Sequence, residues 1–187
     1  MINPLQQADP VLINKAKQIK VIIADVDGVL TDGGIIYDNS GMELKKFNVK
    51  DGQIIQHLKR AGILVGAITG RKSDVVKNRC IELKFDFHYH GVKDKLEVFN
   101  RIKTDFKATN ASIAYIGDDI IDLPILSICG LSAAPIDAVD YVKSTVDMVT
   151  AKKGGEGAFR EFADFILTSQ GKMDEIISYY QQKKDKN

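Results

Sequence analysis

The sequence is poor in several residue types whose abundance points to particular classes of protein. Its 187 residues include no tryptophan, two cysteines, four prolines and three histidines. Cys80 and Cys129 have neither the paired spacing of a zinc site nor the density of a disulfide scaffold. We therefore predict that both cysteines lie on helices as reduced residues of the core.

The sequence also lacks an excess of charge of either sign and lacks long hydrophobic runs. The chain has 26 Lys and Arg against 25 Asp and Glu, a formal net charge of +1. This balance gives no overall electrostatic reason to expect nucleic acid or a membrane surface as a partner. No apolar run approaches the roughly 18 residues of a membrane span, and residues 1–10 do not resemble a signal peptide. We expect a cytoplasmic protein.

Length and hydrophobic patterning predict a single α/β domain over residues 1–187. A chain of this length matches one domain of about 100–200 residues and leaves no room for a separate lid. Continuous apolar runs predict buried parallel strands at 21–24, 63–68, 113–116 and 131–134. Amphipathic periodicity predicts helices at 51–61, 73–83, 95–102 and 158–167. Alternating strands and helices are typical of a doubly wound, mainly parallel sheet of the Rossmann type.

One segment departs from this alternation. Residues 34–47 have the pattern of two strands joined by a turn at 38–41, inserted directly after the first strand. The apolar side chains of this hairpin need a partner. That partner is either the hairpin's own domain or other subunits, since an uncovered apolar edge invites association.

Carboxylates follow two of the predicted strands. Asp25 and Asp27 come directly after residues 21–24, and Asp118, Asp119 and Asp122 follow residues 113–116. Carboxyl ends of parallel strands meet at one edge of a sheet, where ligands bind, so we expect these side chains to lie together. Singly, each has a structural explanation, because acidic residues are also favoured in solvated loops and at helix N-termini.

Thr69 ends the second predicted strand, and Lys95 begins a predicted helix. Alone, the first is a common strand exit and the second a surface lysine. With the carboxylates, they suit one chemical task. Carboxylates hold Mg²⁺, a hydroxyl and an ammonium hold phosphate, one aspartate attacks phosphorus and a second acid protonates the leaving oxygen. This combination predicts phosphoryl transfer through an aspartyl phosphate.

Four motifs in this order resemble those of the haloacid dehalogenase superfamily of phosphatases, over residues 19–150. They are Asp25-Val26-Asp27-Gly28-Val29, Thr69, Lys95 and Gly117-Asp118-Asp119. The resemblance implies that Asp25 is the nucleophile. It implies that Asp27 is the general acid and later the base that activates water.

The same resemblance implies the ligands of Mg²⁺. They would be the Asp25 side chain, the Asp27 backbone carbonyl and Asp118, with Asp119 and Asp122 behind them rather than in direct contact. Thr69 and Lys95 would bind the transferring phosphoryl group.

Further motifs resemble the 3-deoxy-D-manno-octulosonate 8-phosphate phosphatases over essentially the whole chain. They are Asn48-Val49-Lys50-Asp51-Gly52, Ile68-Thr69-Gly70-Arg71-Lys72, Asn78-Arg79-Cys80 and the segment from Gly154 to Glu161. This resemblance implies a capless enzyme of lipopolysaccharide inner-core synthesis. It implies a homotetramer built through the hairpins, with a neighbour's C-terminal segment 154–187 helping to close the site. The implied substrate contacts are Asp27, Asn48, Val49, Lys50, Asp51, Gly52, Thr69, Arg71, Arg79 and Lys95.

Two arginines suit the carboxylate of such a substrate, because Arg recognises carboxylates with two parallel hydrogen bonds. Arg71 and Arg79 would be about 12 Å apart along one helix and able to face one long ligand. The alternative is two solvated arginines that flank a helix. A related group acting on the nine-carbon 3-deoxy-nonulosonate 9-phosphate has Glu in place of Arg71, which favours the eight-carbon substrate. Gln56 and Lys50 stand where the family often has Arg.

Two other functional classes fit part of the pattern. A phospho-receiver domain also places aspartates, Thr or Ser, and Lys around Mg²⁺, but its acceptor follows the third strand. Here the third run, residues 85–89, is a poor acceptor site. A regulatory homologue without turnover is the other class, and the intact set of acids argues against it. His57, His88 and His90 have no paired acid or nucleophile at a recognisable spacing, so we expect them to be structural or solvated.

Overall fold

A computed structural model describes residues 9–182. The strands within this range are β1 (Val21–Ala24), β2 (Ile36–Tyr37), β3 (Glu43–Leu44), β4 (Leu64–Thr69), β5 (Phe87–His90), β6 (Ile113–Ile116), β7 (Leu131–Ala134) and β8 (Met148–Val149). The helices are α1 (Pro10–Lys17), α2 (Val49–Arg60), α3 (Asp74–Glu82), α4 (Lys95–Asp105), α5 (Leu123–Leu126), α6 (Asp140–Lys143), α7 (Ala158–Ser169) and α8 (Met173–Gln182). No helix in the described range is long and apolar enough to cross a bilayer.

Six parallel strands form the central sheet, in the order β5-β4-β1-β6-β7-β8. The predicted doubly wound α/β fold is confirmed, because β1 lies between β4 and β6 and both faces of the sheet are covered. Side chains of β1 alternate between two cores. Ile22 packs with residues of α2 and α7, and Ile23 packs with residues of α4. Residues 9–182 contain no separate cap domain.

The four predicted strands and four predicted helices are present, with shifts of a few residues at their ends. Cys80 is buried on α3, as predicted. The helical prediction for Cys129 is wrong. Helix α5 ends at Leu126, and Cys129 lies in the turn before β7, with its Sγ 3.8 Å from the Leu126 carbonyl oxygen. The Gly130 amide already donates to the Ile113 carbonyl at 2.9 Å, which leads the chain into β7.

The predicted hairpin is present as β2 and β3, which pair antiparallel but are shorter than expected. Its turn is fixed by Asp38, whose Oδ1 accepts hydrogen bonds from the amides of Ser40 at 2.9 Å and Met42 at 2.7 Å. The apolar residues of the hairpin remain about half exposed, namely Ile35, Ile36, Tyr37, Met42 and Leu44. Intrachain packing therefore leaves this apolar face uncovered.

Asp51 joins α2 to the start of α7. Its side chain is buried, and its Oδ1 accepts a hydrogen bond from the backbone amide of Arg160 at 2.7 Å. Burial raises the pKa of the Asp51 carboxyl to about 6, although the Arg160 amide and guanidinium favour its charged form. The folded protein thus holds this proton more tightly than the unfolded chain does.

The effect of Asp51→Asn on stability, relative to wild type, should be more favourable at neutral pH than at acidic pH. A carboxyl whose pKa is raised on folding contributes stability that is lost as pH rises from about 4 to about 6. Asparagine retains an oxygen for the Arg160 amide without the buried charge. From pH 4.5 to 7.5, the difference in unfolding free energy between variant and wild type should move towards the variant by about 2 kcal/mol. Urea unfolding at both pH values measures it.

The surface change Asp105→Asn serves as the control, because this carboxylate makes only an exposed ion pair with Arg101. Its difference from wild type should be the same at both pH values. If the effect of Asp51→Asn on stability did not change with pH, the conclusion that burial raises the pKa of the Asp51 carboxyl would be wrong.

Candidate active site

Three carboxylates and one lysine meet at the carboxyl edge of β1 and β6. Asp25 follows β1, Asp118 and Asp122 follow β6, and Lys95 is the first residue of α4. The Lys95 Nζ lies 2.8 Å from Asp25 Oδ1 and 2.7 Å from Asp122 Oδ1. Asp25, Lys95 and Asp122 are all buried, and Asp118 is half-buried. The sheet topology therefore concentrates charge at a point that water barely reaches.

This cluster holds more negative than positive charge. Burial raises the pKa of Asp25 and of Asp118, and the neighbouring carboxylates add to the shift while Lys95 opposes it. Burial alone would lower the pKa of Lys95, but Asp25 and Asp122 outweigh it and raise that pKa. One ammonium therefore does not balance three carboxylates, and a further cation would stabilise the ionised cluster.

The donor atoms fit a divalent cation. Oxygen atoms of Asp25, Asp118 and Asp122 lie within 4.8 Å of one another. Asp118 Oδ1 is buried with no hydrogen-bond partner in the described range, and Asp25 Oδ1 has the Lys95 ammonium 2.8 Å away. Hard carboxylate oxygens are the ligands that Mg²⁺ prefers.

Asp122 uses its oxygens within the protein. Its Oδ1 accepts from the Tyr115 hydroxyl at 2.6 Å, and its Oδ2 accepts from the amides of Asp118 at 3.1 Å and Asp119 at 3.3 Å. It thereby shapes the loop that presents Asp118. Asp119 is exposed and accepts from the Ile120 amide at 2.7 Å. Both placements suit the supporting role predicted for these residues.

Gly28 brings the loop after β1 against Asp118. Its φ is +88°, and a Cβ at this position would lie 2.0 Å from Asp118 Oδ2. Any other residue would both strain the backbone and displace the Asp118 carboxylate.

A cleft of about 250 Å³ opens above the cluster and is lined by Asp25, Asp27, Thr69, Arg71 and Asp118, among others. Thr69 is buried at the end of β4, and its Oγ1 accepts from the Arg71 amide at 3.3 Å. The hydroxyl hydrogen is thus available to a ligand in the cleft. The residues predicted to be catalytic from separate strands are brought together here, with Lys95 beneath Asp25.

Lys45, which the sequence analysis missed, lies against the predicted general acid. Its side chain is fully buried, and its Nζ donates to Asp27 Oδ1 and lies 3.5 Å from Glu43 Oε1. Glu43 also accepts a hydrogen bond from the Ser73 hydroxyl. A signal was present, because Glu43 and Lys45 are two residues apart on a strand and share one face. The hairpin thus presents its polar side to the cleft of its own chain.

Arg71 lines the cleft but already has partners. Its Nη2 lies 3.0 Å from the Tyr37 hydroxyl and 3.4 Å from Glu43 Oε1, and its Nε lies 3.8 Å from Asp27 Oδ2. Arg71 precedes α3, which begins at Asp74 after the cap residue Ser73. The predicted helical separation of Arg71 and Arg79 is therefore wrong.

Arg79 lies outside the lining of the cleft. Its Nη1 is 2.9 Å from Glu82 Oε2, and its guanidinium lies 5.7 Å from the centre of the Phe47 ring. Gly52 leaves room for it, since a Cβ there would lie 2.7 Å from Arg79 Nη2. Arg79 is thus held between α3 and the start of α2.

The remaining residues of the 48–52 motif also lie away from the cleft. Asn48 caps α2 by accepting from the Lys50 amide at 2.8 Å, and its Nδ2 donates to the Gly155 carbonyl at 3.3 Å. Val49 and Lys50 are exposed, and Asp51 holds α7. Their predicted contact with substrate stays a prediction.

The glycine-rich segment 154–157 packs on the catalytic loop of its own chain. The Gly155 amide donates to the Val29 carbonyl at 2.9 Å, and a Cβ on Gly154 would lie 1.9 Å from the Gly28 carbonyl oxygen. This segment therefore supports the backbone that carries Asp27 and Gly28. Its predicted role in a neighbour's site stays a prediction.

No protein-family model matches the sequence. The chain is 43% identical over 164 residues to the 3-deoxy-D-manno-octulosonate 8-phosphate phosphatase KdsC of Escherichia coli strain K12, covering 88% of this chain and 87% of that protein. It is also 43% identical over 158 residues to the phosphatase of the same name from Haemophilus influenzae, covering 84% and 88%.

Solved structures give the same result. The 3-deoxy-D-manno-octulosonate 8-phosphate phosphatase of Moraxella catarrhalis, in complex with magnesium, phosphate and KDO, superposes with a TM-score of 0.88 at 37% identity, covering 90% of this chain and 97% of that one. A putative hydrolase of the haloacid dehalogenase superfamily from Legionella pneumophila has a TM-score of 0.88 at 41% identity, covering 92% and 94%. The similarity therefore includes both sequence and fold over most of each chain.

Proposed function

This chain belongs to the 3-deoxy-D-manno-octulosonate 8-phosphate phosphatase family of the haloacid dehalogenase superfamily, and on that premise we propose that it hydrolyses this sugar acid phosphate with Mg²⁺ as cofactor. The products are 3-deoxy-D-manno-octulosonate and inorganic phosphate, the former destined for the lipopolysaccharide inner core. One observation carries the proposal. The carboxylates of Asp25, Asp118 and Asp122 meet beside one ammonium, that of Lys95, beneath a cleft that contains Thr69, and Asp118 Oδ1 is buried with no hydrogen-bond partner in the described range.

The binding of the phosphoryl group follows from this arrangement. The Asp25 side chain, the Asp27 backbone carbonyl and Asp118 would hold Mg²⁺, which when bound supplies positive charge opposite the phosphate. The Thr69 hydroxyl donates to a phosphoryl oxygen. The Lys95 ammonium offsets the negative charge of Asp25 and of the phosphate, which makes the approach of two anions possible.

In the first half of the reaction, a carboxylate oxygen of Asp25 forms a bond to phosphorus as the bond from phosphorus to the sugar oxygen breaks. The Asp27 carboxylic acid gives its proton to that departing oxygen. In the second half, ionised Asp27 takes a proton from water as the water oxygen attacks phosphorus. The bond between phosphorus and Asp25 then breaks, and phosphate is released.

Arg71 is the residue we assign to the substrate carboxylate. It lines the cleft, and 40% of its side chain is exposed. Binding would require the guanidinium to share or exchange its contact with Glu43.

The kcat/KM with Mg²⁺ should be higher for the eight-carbon than for the nine-carbon sugar acid phosphate. Arg71→Glu should reduce the ratio of the two kcat/KM values. A preference of the wild type for the nine-carbon compound would overturn the substrate assignment.

Asp25→Asn should abolish turnover while leaving the fold intact, because an amide does not act as the nucleophile. We expect kcat to fall by about 10⁴-fold or more. Steady-state phosphate release measures the loss, and circular dichroism checks the fold. Asp105→Asn serves as the surface control with wild-type activity. Substantial residual turnover by Asp25→Asn would show that Asp25 is not the nucleophile. If substitutions in all four motifs left turnover unchanged, the result would favour a different class of protein.

Lys45 is proposed as a positioning residue for Asp27. Lys45→Ala should lower kcat by about 10-fold or more for the sugar phosphate, whose leaving oxygen needs a proton. The loss should be much smaller for p-nitrophenyl phosphate, because its leaving group departs without protonation. Lys45→Arg should restore part of the activity. Equal losses with both substrates would show that Lys45 does not act through proton donation by Asp27 to the leaving oxygen.

The assembly is proposed to be a homotetramer formed through the hairpins, in the cytoplasm. The exposed apolar face of β2 and β3 supports association through the hairpins. The two free cysteines suit a reducing compartment such as the cytoplasm. A capless site needs another way to exclude water, and a neighbouring subunit would provide it.

Shortening the hairpin turn at 38–41 should therefore give smaller particles with poorer activity. Sedimentation velocity measures the size, and phosphate release measures the activity. A matched substitution, Ser40→Ala, keeps the hairpin length and should leave the assembly unchanged. A tetramer that survives the shortening would exclude the hairpin as its main contact.

A further inference from the structure

Outside the cleft, three metal-ligating side chains meet between α3 and β5. His88 and His90 are two residues apart on β5 and share one face of the strand. Cys80 lies on α3, which packs on that face. The Cys80 Sγ and one ring nitrogen of each histidine all lie within 4.8 Å of one another. None of these side chains takes part in the phosphatase mechanism.

The two histidine rings share one hydrogen bond. His88 Nδ1 lies 2.7 Å from His90 Nε2, so one nitrogen donates and the other accepts. His90 Nδ1 is buried and has no hydrogen-bond partner in residues 9–182. Burial and the nearby Lys77 lower the pKa of both rings, which favours the neutral form that binds metals.

The cysteine adds a ligand of a different kind. Cys80 is buried, and burial raises the pKa of its thiol to about 11, so it is not a reactive thiolate by itself. A sulfur with two imidazole nitrogens is the donor set of Zn²⁺ and similar transition ions, whereas Mg²⁺ requires oxygen. The set thus differs chemically from the carboxylate cluster.

The distances are close to those that zinc requires. In a tetrahedral site with Zn–N of about 2.0 Å and Zn–S of about 2.3 Å, ligand atoms are about 3.3–3.8 Å apart. Because the three atoms lie within 4.8 Å of one another, no pair has to approach by more than about 1.5 Å. Both histidines are half-buried, so an ion reaches them from solvent and water completes the fourth position.

We propose that Cys80, His88 and His90 form a site for Zn²⁺ or a similar transition ion, separate from the catalytic magnesium site. As the zinc–sulfur bond forms, the thiol proton is released to solvent. The bound ion would tie α3 to β5, which is the edge strand of the sheet. In register, His90 is the β5 partner of Thr69 on β4, so the tie would also brace the strand end that carries Thr69.

The test uses untagged, metal-free full-length protein with Mg²⁺ in large excess to occupy the carboxylate cluster. Titration with Co²⁺ should give one equivalent of bound ion with a thiolate-to-cobalt charge-transfer band and the strong visible absorption of a tetrahedral site. Zn²⁺ should then displace the cobalt and raise the melting temperature.

Variants assign the ligands. Cys80→Ser should remove the charge-transfer band, and Cys129→Ser, the matched control, should retain it. His88→Gln and His90→Gln should each weaken cobalt binding by more than the 10–100-fold typical of losing an outer-shell partner. Absence of the band in wild type, its persistence in Cys80→Ser, or its loss in Asp118→Asn would each overturn the proposal.

Discussion

The double ion pair of Lys95 with Asp25 and Asp122 is the interaction on which the rest of the site depends. An unpaired charge in such a buried position costs about 3–5 kcal/mol, so each member constrains the others. The lysine fixes the start of α4 against the ends of β1 and β6. Against the three carboxylates of Asp25, Asp118 and Asp122, this one ammonium leaves the cluster two positive charges short, which is why a divalent cation belongs beside it. Stability and catalysis therefore use the same ammonium group.

Around this centre, small residues and backbone contacts set the positions of the larger groups. Gly28 allows the loop after β1 to touch Asp118, and Asp122 orients the loop after β6, which carries Asp118, through two amides. The hairpin then adds Lys45 and Glu43 from the other side. Asp27, the proposed general acid, thus lies between a sheet edge and an inserted pair of strands.

Much of this was predictable from the sequence, because parallel strands bring their carboxyl ends to one edge. Asp25, Thr69 and Asp118 could be placed together from the order of strands alone. Side-chain contacts that depend on tertiary packing could not be predicted. The burial of Lys45, the position of Arg79 over Phe47 and the amide contact of Asp51 follow from how helices and hairpin settle on the sheet. The helical prediction for Cys129 was wrong for a related reason, since α5 ends at Leu126 and the residue after Cys129, Gly130, already bonds to Ile113 of the sheet.

The packing of Gly154 and Gly155 on the turn at 28–31 has a consequence for how the protein is made. The loop with the general acid is synthesised near the start of the chain, but the backbone that covers it is about 125 residues later. A nascent chain can pair β1 with β4 long before this cover leaves the ribosome. The active site is therefore finished last, by a segment that contributes no reacting group.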